Sequence, residues 1–221
     1  MALSLIVPVL NNFKVFADCM ASVDYPVHPI VLDNWNNNRG VAASWNEGMR
    51  RSLELGNNYA LITNDDAVFT PNAIKEMYEF MKYKSNAVLV SPNQNRVDPN
   101  GGPLEGEADF FCFIVDIKRL TERVGWFDEN FFPAYFEDND MHLRIGLAGE
   151  KSYILSNVQV NHVGSATQNF DPGSPVVPPH MFDKNKYYFV EKWGGQPGGH
   201  QYHNPFNNPE NDVKHWVKRD A

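Results

Sequence analysis

The chain has 221 residues, 43% of them hydrophobic and 21% charged, an ordinary globular composition with enough length for one domain and a sizeable core. Its formal net charge of −8 gives no support to a non-specific nucleic-acid binder, which carries a basic patch. Cys19 and Cys112 lie far apart and form neither a disulfide framework nor a metal-ligand spacing, which fits a reducing compartment. Residues 1–10 are apolar, but the stretch is too short to span a membrane and lacks a basic leader. No transmembrane segment and no internal repeat is expected.

Residues 3–9 are a near-continuous apolar run and read as a buried first strand. No glycine-rich phosphate loop follows Pro8 and Asn11, so neither a dinucleotide fingerprint nor a P-loop is present. A helix is expected over 13–20 and a second strand over 29–32, ending in Asp33. After an Asn-rich turn, Val41, Trp45, Met49 and Leu53 recur every four residues, a single helical stripe closed by Gly56. The third strand, 59–62, stops at Thr63, and Asn64-Asp65-Asp66 follows. Thr70-Pro71 reads as a helix start, with Ile74, Met77, Tyr78 and Met81 marking the helix. A fourth strand is expected over 87–90. This alternation predicts an α/β fold with a parallel, doubly wound sheet.

The pattern changes at Ser91. Residues 91–107 are rich in Asn, Pro and Gly, and long loops of that kind are usually functional or mobile. A strand is expected over 108–115 and a short helix over 118–124, ended by Gly125. Residues 125–140 set Trp126, Phe127 and further aromatics around the acids Glu137, Asp138 and Asp140. A helix through residues 143–147 leads to Gly149. Two short strand pieces fall within 154–163, ending at His162. A second irregular loop spans 165–179, a last helix 181–193, and residues 194–221 read as an extended arm with one helical turn at 213–217.

Two acids in a turn after a strand lie at the carboxyl edge of a parallel sheet, where ligands of open α/β sheets bind. Adjacent carboxylates repel unless a cation sits between them, and hard divalent cations prefer oxygen ligands. The competing reading is a polar turn with a helix cap. For Asp33 the alternative is a turn-forming side chain, for Arg144 an i,i+4 ion pair with Asp140, for Asp138 a helix cap, and for Trp126 a place in the core.

The order of these motifs resembles glycosyltransferase family 2, the inverting nucleotide-sugar enzymes of GT-A fold, in its rhamnosyltransferase-like branch. The likeness rests on the first strand with Pro8 and Asn11, on Asp33-Asn34, and on the run from Arg39 to Gly48. Further matches are Asn64-Asp65-Asp66, Gly125-Trp126-Phe127-Asp128-Glu129, residues 136–140 with Arg144, His162, and Lys192-Trp193-Gly194. It covers residues 3–194, and Asn-Asp-Asp departs from a clean Asp-x-Asp.

The resemblance implies a Rossmann-like, mostly parallel sheet flanked by helices. It implies a domain over 1–193, with a nucleotide-binding half (1–90) and an acceptor-side half (91–193), and a C-terminal extension (194–221). By resemblance Mn²⁺ or Mg²⁺ is held by Asp66 and His162. Pro8, Asn11, Asp33, Arg39, Asn46, Asn64 and Asp65 serve the nucleotide-sugar. Trp126, Glu137, Asp140 and Arg144 stand on the acceptor side, and Asp138 is the general base. The partners implied are a nucleotide-diphosphate sugar and an acceptor hydroxyl on a glycan, lipid carrier, protein or modified nucleobase, in a cytoplasmic protein without stable membrane insertion. A catalytically inactive sugar-binding module and a sugar-1-phosphate nucleotidyltransferase are the competing classes. The latter calls for a Gly-rich, basic first loop, which 8–12 is not.

Overall fold

The structure, a computed structural model, describes residues 2–94, 98–164, 166 and 176–219. Its elements in chain order are β1 (Leu3–Val9), α1 (Phe13–Ala21), β2 (Val27–Asp33), α2 (Val41–Glu54), β3 (Tyr59–Thr63), β4 (Ala67–Phe69), α3 (Ala73–Tyr83), β5 (Ala87–Asn93), β6 (Pro103–Glu105), β7 (Cys112–Asp116), α4 (Ile117–Arg123), α5 (Glu137–Leu147), β8 (Lys151–His162) and α6 (Pro179–Trp193).

The strands form one sheet in the order β2-β1-β3-β7-β5-β8-β4, with β6 also on β8. β1 runs parallel to β2 and β3, and β5 parallel to β8. β7 lies antiparallel between β3 and β5, so β1, β2, β3, β5 and β8 all point the same way. The sheet is therefore mostly parallel in direction, as expected, with β7, β4 and β6 reversed.

Period-2 alternation gives the central strands, such as β1 and β5, two buried faces, whereas β2 and β6 stay largely exposed. On β1, Leu3, Leu5, Val7 and Val9 join the layer under α1 and α3, while Ile6 joins the layer under α2, α4 and α5. The stripe of α2 behaves as its spacing predicts: Trp45 and Met49 are buried, and Gly56 takes φ +78° just past the helix end. Gly48 lets α2 lie against β1, since a Cβ there collides with Ile6.

Three local expectations are corrected. The chain does not pass from the acids into a helix at Pro71. It first makes β4, and α3 starts at Ala73 after Asn72 in the left-handed region (φ 66°). Thr70 is not the cap, since Asn72 holds that position, and its hydroxyl donates to the Gln159 carbonyl at 2.6 Å. The two strand pieces near the end are one twelve-residue strand, β8.

Residues 194–219 fold back on the domain. The Val217 carbonyl accepts from the Asn130 amide at 3.0 Å, and Arg219 pairs with Glu191 and lies 4.6 Å over the Tyr188 ring. The tail has a single 3₁₀ turn at Pro205–Asn207, and 213–217 holds no helical turn. No helix among the described residues is long and apolar enough to cross a membrane.

Candidate active site

A cleft of about 590 Å³ opens along the carboxyl ends of the parallel strands. Residues 8–10 at the end of β1, Asn34 after β2, residues 64–66 after β3, Gln94 after β5 and His162 at the end of β8 all line it. β7 runs the other way, so its entry, residues 107–111, reaches the same edge. The N-terminal turns of α2 and α5 form the remaining walls. The expected loop walls reach the cleft through Gln94, Glu107, Ala166 and Val176; residues 95–97, 165 and 167–175 lie outside the described residues.

One end is built by the pairing of β4 with β8. The register sets Ala67 opposite His162, which brings the preceding Asp66 to the imidazole. His162 Nε2 lies 3.1 Å from Asp66 Oδ1, and the Ala166 N–H donates to Asp66 Oδ2 at 3.3 Å. His162 is held on its other sides by the Gln94 amide, 2.9 Å from Nδ1, and by the stacked Phe111 ring at 4.5 Å. Burial pushes the Asp66 carboxyl up, but the hydrogen bond and charge of His162 outweigh it, so its pKa falls below the usual range. Asp65 is buried beside them.

The other end is the first turn of α5. Tyr135 and Phe136 precede it with φ of 77° and 74°, a left-handed pair that non-glycine residues adopt at a cost of about 1–2 kcal/mol each. Asn185 on α6 holds this turn, its amide donating to the carbonyls of Ala134 (2.9 Å) and Tyr135 (3.1 Å). The turn delivers Glu137, Asp138 and Asn139 to the cleft, with His142 one turn on. Asp138 is not the cap, since α5 begins at Glu137; its Oδ1 accepts from the Asn139 N–H at 2.7 Å. Burial, and then the charge of Asp138, push the Glu137 carboxyl up to about 8. Burial lowers the His142 imidazole, whose Nε2 lies 3.0 Å from the Ala108 carbonyl.

Helical periodicity splits the acidic cluster. Asp138 and His142 face the cleft, whereas Asp140 and Arg144, also four apart, turn into the core. Asp140 accepts from Arg144 Nε (2.8 Å) and Trp193 Nε1 (2.8 Å) and lies 2.7 Å from Lys192 Nζ. Lys192 Nζ also lies 2.8 Å from Asp128 Oδ2, which accepts from the Tyr188 hydroxyl at 2.8 Å. This network of Asp128, Asp140, Arg144 and Lys192 is fully buried and ties α5 to α6.

Other expected site residues have bracing roles. Asn46 is buried and mimics a peptide: it donates to the Phe127 carbonyl (2.8 Å) and accepts from the Phe127 N–H (3.0 Å). Trp126 lies under the Arg50 guanidinium at 4.9 Å and gives its carbonyl to Arg144; it does not line the cleft. Asp33 is exposed at the end of β2, where its Oδ1 accepts from the Trp35 N–H at 2.8 Å. Arg39 ties the same turn through Asn34 Oδ1 (2.8 Å) and the Asp33 carbonyl (3.1 Å). Asn11 is half-buried in the bend after β1.

The cleft thus gathers Pro8, Asn64, Asp65, Asp66, Glu137, Asp138 and His162 of the expected residues, and leaves Asp140, Arg144, Trp126 and Asn46 behind its walls. It adds Gln94, Glu107, Asp109 and His142, which no motif flagged; the spacing of His142 from Asp138 was the available signal. Six carboxyl groups line it, and no Lys or Arg does so among the described residues. No group of three or more His, Cys, Asp or Glu among the described residues is arranged to hold a metal ion.

No family model matches the chain. Over 140 residues it is 29% identical to the N-acetylglucosaminyl-diphospho-decaprenol L-rhamnosyltransferase of Mycobacterium tuberculosis, a match covering 59% of this chain and 43% of that protein. A galactofuranosyl glycosyltransferase of Leishmania donovani is 31% identical over 83 residues, covering 38% and 18%. The chain therefore matches less than half the length of these curated relatives. Among solved structures, S. aureus TarS 1–349 in complex with UDP-GlcNAc superposes with a TM-score of 0.58 at 15% identity, covering 87% of this chain and 65% of that one. Drosophila β1,4-galactosyltransferase 7 in complex with manganese, UDP-Gal and xylobiose gives 0.54 at 16% identity, covering 76% and 73%. The fold is GT-A, and the sequence relatives are glycosyltransferases, in agreement with the resemblance read from the motifs.

Proposed function

We propose that this GT-A chain transfers a sugar, with inversion, from a nucleotide-diphosphate sugar to an acceptor hydroxyl, using a divalent cation. The observation that carries the reading is the charge of the cleft. Asp65, Asp66, Glu107, Asp109 and Asp138, with no described Lys or Arg beside them, repel a diphosphate, so a cation is needed for one to enter.

Asp66 and His162 fit that cation. Their facing atoms are 3.1 Å apart. Adjacent ligands on an octahedral ion with bonds of about 2.1 Å stand about 3.0 Å apart. Gln94 on the far nitrogen of His162 supplies the orienting contact that metal-bound imidazoles have. Two protein ligands suffice for Mg²⁺ or Mn²⁺ where substrate phosphates complete the shell. When bound, the ion neutralises charge on the departing diphosphate.

The remaining chemistry belongs to the chain. Asp138, at the opposite wall, takes the proton of the acceptor hydroxyl as that oxygen bonds to the anomeric carbon. The bond from that carbon to the phosphate oxygen breaks, and its electron pair leaves with the nucleoside diphosphate. Asp33, with one oxygen held by Trp35, offers the other to the base. The relatives' names support a lipid-linked or glycan acceptor.

A thermal-shift screen of nucleotide-sugars with and without Mn²⁺ tests the reading, since a ligand bound to the native state raises Tm by mass action. A shift only with both present is expected. EDTA is expected to abolish transfer and Mn²⁺ to restore it, with Asp66→Ala losing metal-dependent donor binding; full activity in EDTA refutes the metal role. Asp33→Ala is expected to weaken nucleotide binding by about 1–3 kcal/mol in calorimetry. Unchanged affinity leaves Asp33 as a turn residue.

A further inference from the structure

α5 brings a second proton-binding side chain into the cleft one turn after Asp138. His142 stands four residues on, where neighbours on one helix face lie about 5–6 Å apart between Cβ atoms, and both side chains line the cleft. None of the motifs that carry the family resemblance includes His142.

The fold fixes which nitrogen of His142 is the base. Nε2 lies 3.0 Å from the Ala108 carbonyl, which only accepts, so Nε2 carries the proton and donates it. Nδ1 is left with a bare lone pair. It has no partner among the described residues, and on this half-buried side chain it is not one of the atoms sealed from solvent. The Phe110 ring, edge-on at 4.8 Å, holds the imidazole in that orientation. Asp138 presents a matching face: Oδ1 accepts from the Asn139 N–H, and Oδ2 is left for a proton.

The charges around the imidazole are carboxylates. Glu107 acts on it from the entry to β7 and Asp138 from its own helix, and both favour a proton on the ring. Burial outweighs them and lowers its pKa, so the ring is neutral and able to accept at pH 7 and above. Glu137 and Asp109 complete the acids on these two elements, and no described Lys or Arg of the cleft competes with the ring.

We propose that His142 is the second proton acceptor of the transfer step: Asp138 takes the proton of the acceptor hydroxyl on Oδ2 and passes it to Nδ1 of His142. The O–H bond of the acceptor breaks as its oxygen bonds to the anomeric carbon. The proton bonds first to Oδ2 and then to Nδ1, and Asp138 returns to the carboxylate. The imidazolium keeps Nε2–H on the Ala108 carbonyl, gives Nδ1–H to Asp138, and releases one proton to solvent as products leave. An imidazole ordinarily binds a proton more tightly than a carboxylate, with a pKa of about 6.5 against about 3.9, so the second step draws the proton off the base. His142 thus acts through Asp138, by keeping it ionised. The proposal rests on the glycosyl-transfer reading for the source of the proton, but not for the coupling of the two side chains.

The test begins on the resting protein, as the full chain with ¹⁵N-labelled histidine. Long-range ¹H–¹⁵N spectra at pH 8 are expected to show one ring, missing in His142→Gln, as the Nε2–H tautomer. Asp138→Asn is expected to lower the pKa of that ring further, because the carboxylate charge supports the imidazolium. In single-turnover transfer at saturating donor and Mn²⁺, His142→Gln keeps an N–H for the Ala108 carbonyl. It is expected to lose about 10²-fold in rate, the lower end of the share of a proton-transfer group. The wild-type rate is expected to fall as pH drops through the imidazole pKa, which lies under the ordinary value of about 6.5, and the variant to hold its lower rate across that range. A purely structural His142 leaves the shape of the pH profile unchanged. An Nδ1–H tautomer, a ring pKa indifferent to Asp138→Asn, or a His142→Gln variant that keeps the wild-type rate or the wild-type acid limb overturns the relay. If no nucleotide-sugar is turned over while the tautomer and the coupling hold, the transfer reading fails and the coupled pair stands.

Discussion

Asp138→Asn is expected to keep the melting temperature within about 2 °C, keep donor binding, and lose turnover by about 10²–10⁴-fold, the usual share of general acid–base catalysis. The structure sharpens this expectation. Asp138 is not the cap of α5, so substitution removes no capping bond. The hydrogen bond it accepts from the Asn139 N–H is one that an Asn carboxamide oxygen accepts equally. What Asn cannot do is take up the acceptor's proton. Single-turnover kinetics with a saturating donor isolate that step. Wild-type turnover in the variant removes Asp138 from the mechanism, and His142, neutral and one turn away in the same cleft, becomes the next base to test.

Lys192→Met is expected to destabilise the fold by about 3–5 kcal/mol, the cost of stranding a buried charge. Asp128 and Asp140 share this ammonium at 2.8 and 2.7 Å, and all three side chains are completely buried. With Lys192 gone, Arg144 still pairs with Asp140, but Asp128 keeps only neutral side-chain donors, the Tyr188 hydroxyl and the Asn130 amide. Chemical denaturation gives the number, and a loss below about 1 kcal/mol refutes the network's role. Adding Asp128→Asn is expected to recover part of the loss, because it removes the stranded charge. Acid sensitivity follows with a definite sign. Burial opposes ionisation of Asp140, but Arg144 and Lys192 hold its folded pKa below the ordinary value. Its stabilising contribution is complete above that ordinary value, about 3.9, and is lost as pH falls through the folded one. Lys192→Met is expected to unfold at a higher pH than wild type.

Both variants touch α5, the element where sequence was least able to divide function from structure. Its acids were visible as a cluster, and the i,i+4 spacing of Asp140 and Arg144 announced an ion pair. Which face of the helix met the cleft was not visible, because that depends on how residues 131–136 turn and on where α6 docks. Asn46 shows the same limit: its motif marked it as important, but only the fold reveals a peptide-like brace to Phe127. The strands and α2 were legible because burial on both faces, or on one stripe, writes itself into spacing. β4 and β6 were not, since three residues carry no periodicity. Gln94, Glu107 and Asp109 lay in or beside a polar stretch without pattern; Gln94 reaches the cleft from the carboxyl end of β5, and Glu107 and Asp109 do so because β7 runs antiparallel.

β4 has a consequence for how the protein breathes. It is three residues long and stands at the end of the sheet, paired on one side only, through Ala67, Val68 and Phe69. Short edge segments of this kind open locally at far less free energy than the core. Opening β4 parts Asp66 from His162, because that same ladder brings them together. If Asp66 and His162 hold the proposed cation, it would bind the closed edge and by linkage would suppress the opening. Amides of Val68 and Phe69 should then exchange with solvent more slowly as the cation is titrated in, while those of β1 and β3 are unaffected. That short edge would become a gauge of cation occupancy.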